Sequence, residues 1–386
     1  MVAMMTQMQQ HRMRVLIGTI MAMLGLCPVL SSTAAAQVTS LAAARHAIAE
    51  PRIAALETEL SAAAQSGATD ALARLLQNIL ADPQMEPTAR EWLLDRGLHE
   101  LAQLSPTPAA RAVVEQLALR APSVFVRADP DHGSFAVPLY DAGATAGFVI
   151  DSWQRAEARD EAGAALLAGQ TSPVERFALR AGTAEPDPVR AGIVDAFAAA
   201  PVAGLASQRE TIIAAIDQGR RVDELALVTG RRLGDRELLD HVIGNGVAPV
   251  ALAAVREVAR VLDSVAALES LSVAGRRPEI ASTALLEIGT LARQGGPARD
   301  FLYRAIDDPL SGPSAAAALG ALHDPAVALE LGRRLRLART EQSRRLLVLA
   351  LGLDGSQSAR LELQRFAETR TGSPQLQNVV REWLEH

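Results

Sequence analysis

Four times in the C-terminal half of the sequence an apolar segment closes around one small residue, at Ala259, Gly289, Gly320 and Gly352, at intervals of 30, 31 and 32 residues. The segments align with one another. Val255-Arg256-Glu257-Val258-Ala259-Arg260-Val261-Leu262 matches Leu285-Leu286-Glu287-Ile288-Gly289-Thr290-Leu291-Ala292, and further copies stand at Ala317-Ala318-Leu319-Gly320-Ala321-Leu322 and Leu349-Ala350-Leu351-Gly352-Leu353. A period between about 20 and 50 residues marks stacked supersecondary units, none of which buries its apolar face alone. Each copy is followed by a second segment of helical character, near 264–273, 297–306, 325–338 and 356–369. Two helices per repeat, with a small residue on the first, allow close helix approach and a continuous core. The expected fold is therefore all-α, an α-solenoid of helical pairs.

Upstream the same chemistry continues less regularly. Ile53-Ala54-Ala55-Leu56-Glu57-Thr58-Glu59-Leu60 places apolar groups at helical spacing in residues that favour helix. Leu227-Val228-Thr229-Gly230 marks a further repeat, and copies near 172–217 are degenerate. Asp-Pro recurs at 82–83, 129–130, 187–188, 308–309 and 324–325. Asp accepts free amide hydrogens of a first helical turn and Pro fits the first helical position, so these pairs are predicted helix starts. One stretch breaks the helical rhythm: Ser123-Val124-Phe125-Val126-Arg127 and Ser134-Phe135-Ala136-Val137 alternate as strands do, around the turn-rich 128–133. A small β-hairpin insertion is expected there. Phe125, Phe135, Tyr140, Phe148 and Trp153, five of the twelve aromatics of the chain, fall within residues 125–153. The expected division is a signal segment at 1–36, an N-terminal helical bundle at 37–120, a hairpin junction at 121–140 and the solenoid at 141–386.

The run Asp307-Asp308-Pro309, then Ala315-Ala316-Ala317-Ala318-Leu319-Gly320-Ala321-Leu322-His323-Asp324-Pro325, resembles the HEAT and HEAT-like repeats, whose units pair two antiparallel helices. The resemblance covers about 247–370. The Val-Arg that often follows Asp-Pro in those repeats occurs as Pro188-Val189-Arg190 and is missing after Pro309. Tetratricopeptide repeats are the rival, but their Trp-Leu-Gly-Tyr pattern does not recur. Resemblance to HEAT repeats implies a scaffold or interaction role.

The first 36 residues read as a bacterial secretory signal. His11-Arg12-Met13-Arg14 precedes the apolar run Val15 to Leu30, and Ala34-Ala35-Ala36 supplies a cleavage pattern before Gln37. Sixteen residues interrupted by Thr19 and Pro28 are short for a spanning helix, which needs about 20. Cleavage after Ala36 would remove Cys27, the single cysteine, and Leu26 before it is too large for a lipoprotein signal. The mature chain is then free of disulfides and thiol chemistry, without a membrane span, and expected in the periplasm.

All 38 basic residues are arginine. A lysine-free chain can build neither the phosphate-binding lysine of a P-loop nor an imine with a carbonyl cofactor. The net charge of −6 argues against nucleic acid as a partner. Asp129, Asp131 and His132 form the most metal-like local group, but without the spacing of a calcium loop, and turn chemistry accounts for them. Histidines are scattered and no Gly-x-Ser-x-Gly occurs. No catalytic, cofactor-binding or metal-ligating residues are assigned and no cofactor is expected.

The strongest charge feature is Leu331 to Arg345, which carries Arg333, Arg334, Arg336, Arg339, Arg344 and Arg345 against Glu341 alone. Guanidinium forks bind carboxylate or phosphate bidentately, so Arg333, Arg334, Arg336 and Arg339 are candidate partner-binding residues. Leu331, Leu335 and Ala338 face inward by spacing. Tyr140 and Trp153 are candidate aromatic anchors if exposed, and packing at a domain junction is the favoured alternative. The expected function is a non-enzymatic, exported, protein-binding scaffold or adaptor whose partner is an unidentified envelope protein. The alternative is an envelope enzyme or carbohydrate-binding protein with a cleft near 123–153, and a third reading is self-association through Ala/Leu-rich faces.

Overall fold

The computed structural model describes residues 37–127, 135–181, 187–369 and 371–385. The expected signal segment and the acidic loop with Asp129, Asp131 and His132 lie outside the described residues. Within them stand twenty helices and three short strands, an all-α fold of stacked helices with one small sheet. By contacts the chain forms two compact units, divided in sequence between Ile150 and Asp151 inside a single helix, α6 (Ala142–Leu167).

The first unit holds α1 (Leu41–Ile48), α2 (Pro51–Gln65), α3 (Thr69–Ala81), α4 (Pro87–Leu101) and α5 (Pro108–Ala118). Helix α4 packs on α1, α2 and α3, and buries Leu93, Leu94, Leu98 and Leu101 against Leu60, Leu72 and Leu76. Its Glu91 is also buried; the carboxylate accepts from Arg120 Nη2 at 3.1 Å and Ser123 Oγ at 2.8 Å, which ties the bundle to the strand that follows. The expected hairpin is present as β2 (Val124–Arg127) and β3 (Ala136–Pro138), antiparallel, with Val126 opposite Val137. A third strand, β1 (Gln37–Thr39), pairs parallel to β2 with Val38 opposite Phe125. Three residues carry too little alternation to be read as a strand, and its partner lies more than eighty positions away.

The second unit continues from α6 through α7 (Ser172–Leu179), α8 (Pro188–Ala199), α9 (Val202–Asp217), α10 (Asp223–Leu233), α11 (Arg236–Asn245), α12 (Ala248–Val261), α13 (Ser264–Ala274), α14 (Ala281–Ala292), α15 (Pro297–Ala305), α16 (Gly312–Gly320), α17 (Pro325–Leu337), α18 (Glu341–Asp354), α19 (Gln357–Thr369) and α20 (Pro374–Glu385). From α12 to α19 the second helices coincide with the predicted segments to within a residue or two. Helices α12 and α13, α14 and α15, and α18 and α19 pack as consecutive pairs. Short connections between contacting helices make each pair antiparallel. The first helices α10, α12, α14, α16 and α18 also touch in succession, so one apolar core runs unbroken from Ala158 to Val380.

The small-residue row does what its spacing predicts. A methyl group at Gly289 would stand 3.0 Å from Ala318 Cβ, and one at Gly320 would stand 2.7 Å from the Ala350 carbonyl oxygen and 2.8 Å from Leu353 Cβ. At Gly352 the obstacle is the Trp383 ring. Glycine lets each first helix lie against the next.

Asp-Pro proves a mixed signal. Asp187 caps α8 through Val189 N at 2.9 Å, and Asp324 caps α17 through Ala326 N at 2.8 Å. Asp82 and Asp308 instead close tight turns onto Gln84 N and Leu310 N, both at 2.8 Å, and the next helices start three or four residues after the Pro. The dipeptide fixes a turn, and only some turns run straight into a helix. Arginine performs a second structural task. Arg232 donates to the Ala198 and Ala200 carbonyls at 2.8 and 2.9 Å, and Arg277 to those of Ile243 and Gly246 at 2.8 and 2.7 Å. Each fork reaches back to where a helix of the preceding pair ends and satisfies carbonyls that would otherwise lack partners, a geometry a lysine ammonium does not match.

Candidate functional site: an arginine groove between helical pairs

The basic stretch occupies the end of α17, the loop 338–340 and the start of α18. Leu331 and Leu335 are fully buried and Ala338 packs on the same core, so the intervening arginines are turned outward. After α17 ends at Leu337 the chain is extended at Ala338, and Thr340 Oγ1 caps α18 by accepting from Ser343 N at 3.1 Å. Arg339 projects from this short connection. Together with Asp307, Arg333, Arg334, Leu337 and Ser343 it borders an open groove of about 520 Å³ between two successive helical pairs.

The arginines there are of three kinds. Arg333 clasps Glu330 with two hydrogen bonds of 2.7 Å, and Arg334 donates to the same carboxylate at 2.7 Å while its guanidinium lies 4.7 Å from the centre of the Tyr303 ring. Two guanidinium groups thus share one carboxylate and leave a net positive charge on the groove wall. Arg339 is exposed and has neither a hydrogen bond nor an ion pair from its guanidinium to the described residues. Leu337 beside it is 65% exposed. Asp307, the acid on the opposite wall, accepts from Ser343 Oγ at 2.8 Å.

Arg336 is the third kind and, contrary to expectation, is not free to meet a partner. Its Nη1 donates to Glu362, a buried carboxylate on α19 that also accepts from Arg365 Nη1 at 2.5 Å. Arg336 is thereby committed to joining α17 and α19, because a buried carboxylate keeps its charge only with donors of this kind. Trp153 is likewise no surface anchor: it is 2% exposed on α6, with its ring packed inside the protein. Tyr140 is half-buried, and burial, with the negative charge of Asp95 behind it, pushes its hydroxyl above the ordinary phenol range. Phe135 and Phe148 are the large side chains of that segment that remain exposed.

Two partners of the patch were missed. Glu330 lies three and four positions before Arg333 and Arg334, a spacing at which helical side chains meet, so it was open to a sequence reading that began a residue earlier. Glu362 is 26 positions beyond Arg336, on a different pair, and no local pattern connects the two.

The hydrogen bond from Arg333 holds the Glu330 carboxyl below the usual carboxylate range, against the opposing effect of burial and with help from Arg334. Backbone amides do the same for Asp308, from Ser311 and Leu310, and for Asp324, from Ala326. Burial drives the Tyr303 hydroxyl up to about 12. A carboxylate whose folded pKa lies below its unfolded one adds stability above the unfolded value, and that stability is lost as pH falls through the folded value. The melting temperature is therefore expected to be level from about pH 8 to 5 and to fall progressively below about pH 4. Thermal unfolding followed by circular dichroism checks this, and a melting temperature unchanged at about pH 2.5 would contradict it.

The groove thus offers fixed positive charge, one guanidinium free to form a bidentate pair, and aliphatic surface. That combination suits a carboxylate-bearing chain with apolar side chains. No helix among the described residues is long and apolar enough to cross a membrane, and none of them form a group of three or more His, Cys, Asp or Glu able to hold a metal ion. No family model and no curated protein matches this chain.

Proposed function

We propose that this is an exported, HEAT-like repeat protein of the cell envelope that acts as a non-enzymatic scaffold or adaptor, holding a partner protein at the groove after α17. The observation that supports the reading is the juxtaposition of the unpaired Arg339 with the exposed Leu337 and the arginine pair on Glu330. An exposed leucine among guanidinium groups costs solubility and gives nothing to the core, whereas at an interface it supplies apolar contact inside a charged rim. The secretory character of the first 36 residues supports the compartment, and the stack of helical pairs supports the scaffold role, because such stacks present long surfaces.

The test is affinity capture of the mature protein from crosslinked envelope extract, with an Arg333→Glu/Arg339→Glu variant beside it. One stoichiometric protein partner is expected, with yield down about tenfold in the variant. Arg336 is left intact so that the fold is not disturbed. Equal capture by both proteins, or recovery of glycan or lipid in place of a protein, overturns the reading.

A further inference from the structure

The groove after α17 has neighbours on both sides along the same edge of the stack. That edge is formed by the connections from one helical pair to the next, at 275–280, 306–311, 338–340 and 371–373. A second open groove, of about 580 Å³, is bordered by Arg276, Phe301, Arg304, Asp308 and Leu310. It shares a wall with the first: Ile306 and Asp307 face one groove, and Asp308, Leu310 and Ser311 of the same connection face the other. A third, of about 360 Å³, follows on the far side, bordered by Arg345, Gln375, Leu376 and Val379. Arg345 lies two positions beyond Ser343, which lines the first groove.

The chemistry repeats with the architecture. Leu310 is 82% exposed at one groove, Leu337 at the next, and Val379 is exposed at the third. Arg276 and Arg304 are exposed and, like Arg339, their guanidinium groups have no hydrogen-bond or ion-pair partner among the described residues. The acids on this edge have neighbouring partners: Glu279 pairs with Arg277 at 3.5 Å and Asp307 accepts from Ser343 Oγ at 2.8 Å. Asp308 accepts from Leu310 N and Ser311 N at 2.8 and 3.0 Å, and Glu341 accepts from Ser373 Oγ. In a chain of net charge −6, this edge presents three guanidinium groups without ion-pair partners among the described residues, at Arg276, Arg304 and Arg339, beside exposed aliphatic side chains, whereas Arg345 at the third groove pairs with Glu341 at 3.8 Å and Asp307 and Asp308 keep their charge.

We propose that the partner docks here as an extended, acidic and apolar segment laid along consecutive repeats, with carboxylates meeting Arg276, Arg304 and Arg339 and aliphatic side chains entering the grooves beside Leu310 and Leu337. Packed helices lie about 8–10 Å apart and an extended chain advances about 3.3 Å per residue, so one groove corresponds to about three residues of the segment. Three grooves span roughly nine or ten residues. This extension rests on the scaffold reading above and goes beyond it, since a single groove would hold only one side chain or a chain terminus.

Random 12-residue peptides displayed on phage are selected on the mature protein, and the most enriched peptide is synthesised with a fluorescein label. Its affinity is measured by anisotropy for the unaltered protein and for Arg304→Glu, Arg339→Glu and the two-groove combination. Enriched peptides rich in Asp and Glu, with aliphatic residues about three apart, are expected, and each single variant weakens binding about tenfold. Both arginines are exposed, and circular dichroism melts verify that the variants fold. Loss of binding in Arg339→Glu with none in Arg304→Glu overturns the extended segment and leaves the single-groove scaffold standing. Enrichment without acidic residues, no enrichment at all, or binding indifferent to both variants overturns both.

Discussion

Valine at Gly320 is expected to destabilise the second unit by about 3 kcal/mol or more, among the largest effects of any single substitution in the chain. The reason is the site's lack of give. The Cβ alone would stand 2.7 Å from the Ala350 carbonyl oxygen and 2.8 Å from Leu353 Cβ, and neither is the end of a flexible side chain. Relief requires α16 and α18 to separate, which opens the core where Leu319, Leu347 and Leu351 are buried. A control sharpens the comparison. Gly163 in α6 has open space where its Cβ would go, so Gly163→Ala should stabilise by roughly 0.5–1 kcal/mol through helix propensity. Opposite signs in urea unfolding are the expected outcome. Equal and small effects at the two glycines would show that the repeat interface is not closely packed.

The second large effect concerns Glu362. Removing both its donors, in Arg336→Ala/Arg365→Ala, leaves a buried carboxylate uncompensated, and the expected cost is about 3–5 kcal/mol. Each single variant should cost clearly less than half of this, because the other guanidinium remains on the carboxylate. Changing Glu362 to Met in the double variant should restore much of the loss, since an apolar side chain of similar length needs no partner. A double variant within about 0.5 kcal/mol of the unaltered protein would mean that the carboxylate is not held as described. The same result bears on function, because it separates Arg336, which holds α17 to α19, from Arg333 and Arg339, which border the groove.

The architecture was legible because its signals are local. Period, small-residue spacing and helical apolar patterning lie within single repeats, and α12 to α19 appear where they were expected. The Asp-Pro pairs show the limit of that reading: Asp187 and Asp324 start helices, whereas Asp82 and Asp308 close turns, and the difference depends on how the chain must travel to its next partner. Strand β1 was illegible because three residues carry no period, and its pairing depends on a segment far along the chain. The candidate site was half legible. Sequence located the arginines but not their allocation, since Glu362 and Tyr303 come from other helical pairs. Trp153 shows the same limit: its place in an aromatic cluster leaves surface anchor and packed junction both open, and its burial on α6 decides for packing.

The edge of the helical stack proposed to dock a protein partner has Arg339 and Leu337 at its centre. The most direct measurement is quantitative capture of that partner by three proteins in parallel: unaltered, Arg333→Glu/Arg339→Glu, and Arg159→Glu/Arg260→Glu, whose two arginines are exposed on α6 and α12, away from this edge. About a tenfold loss is expected in the first variant and no loss in the second, with all three proteins melting alike. Equal loss in both variants would reduce the interaction to net charge, and equal capture by all three would place the partner elsewhere; either result contradicts the account.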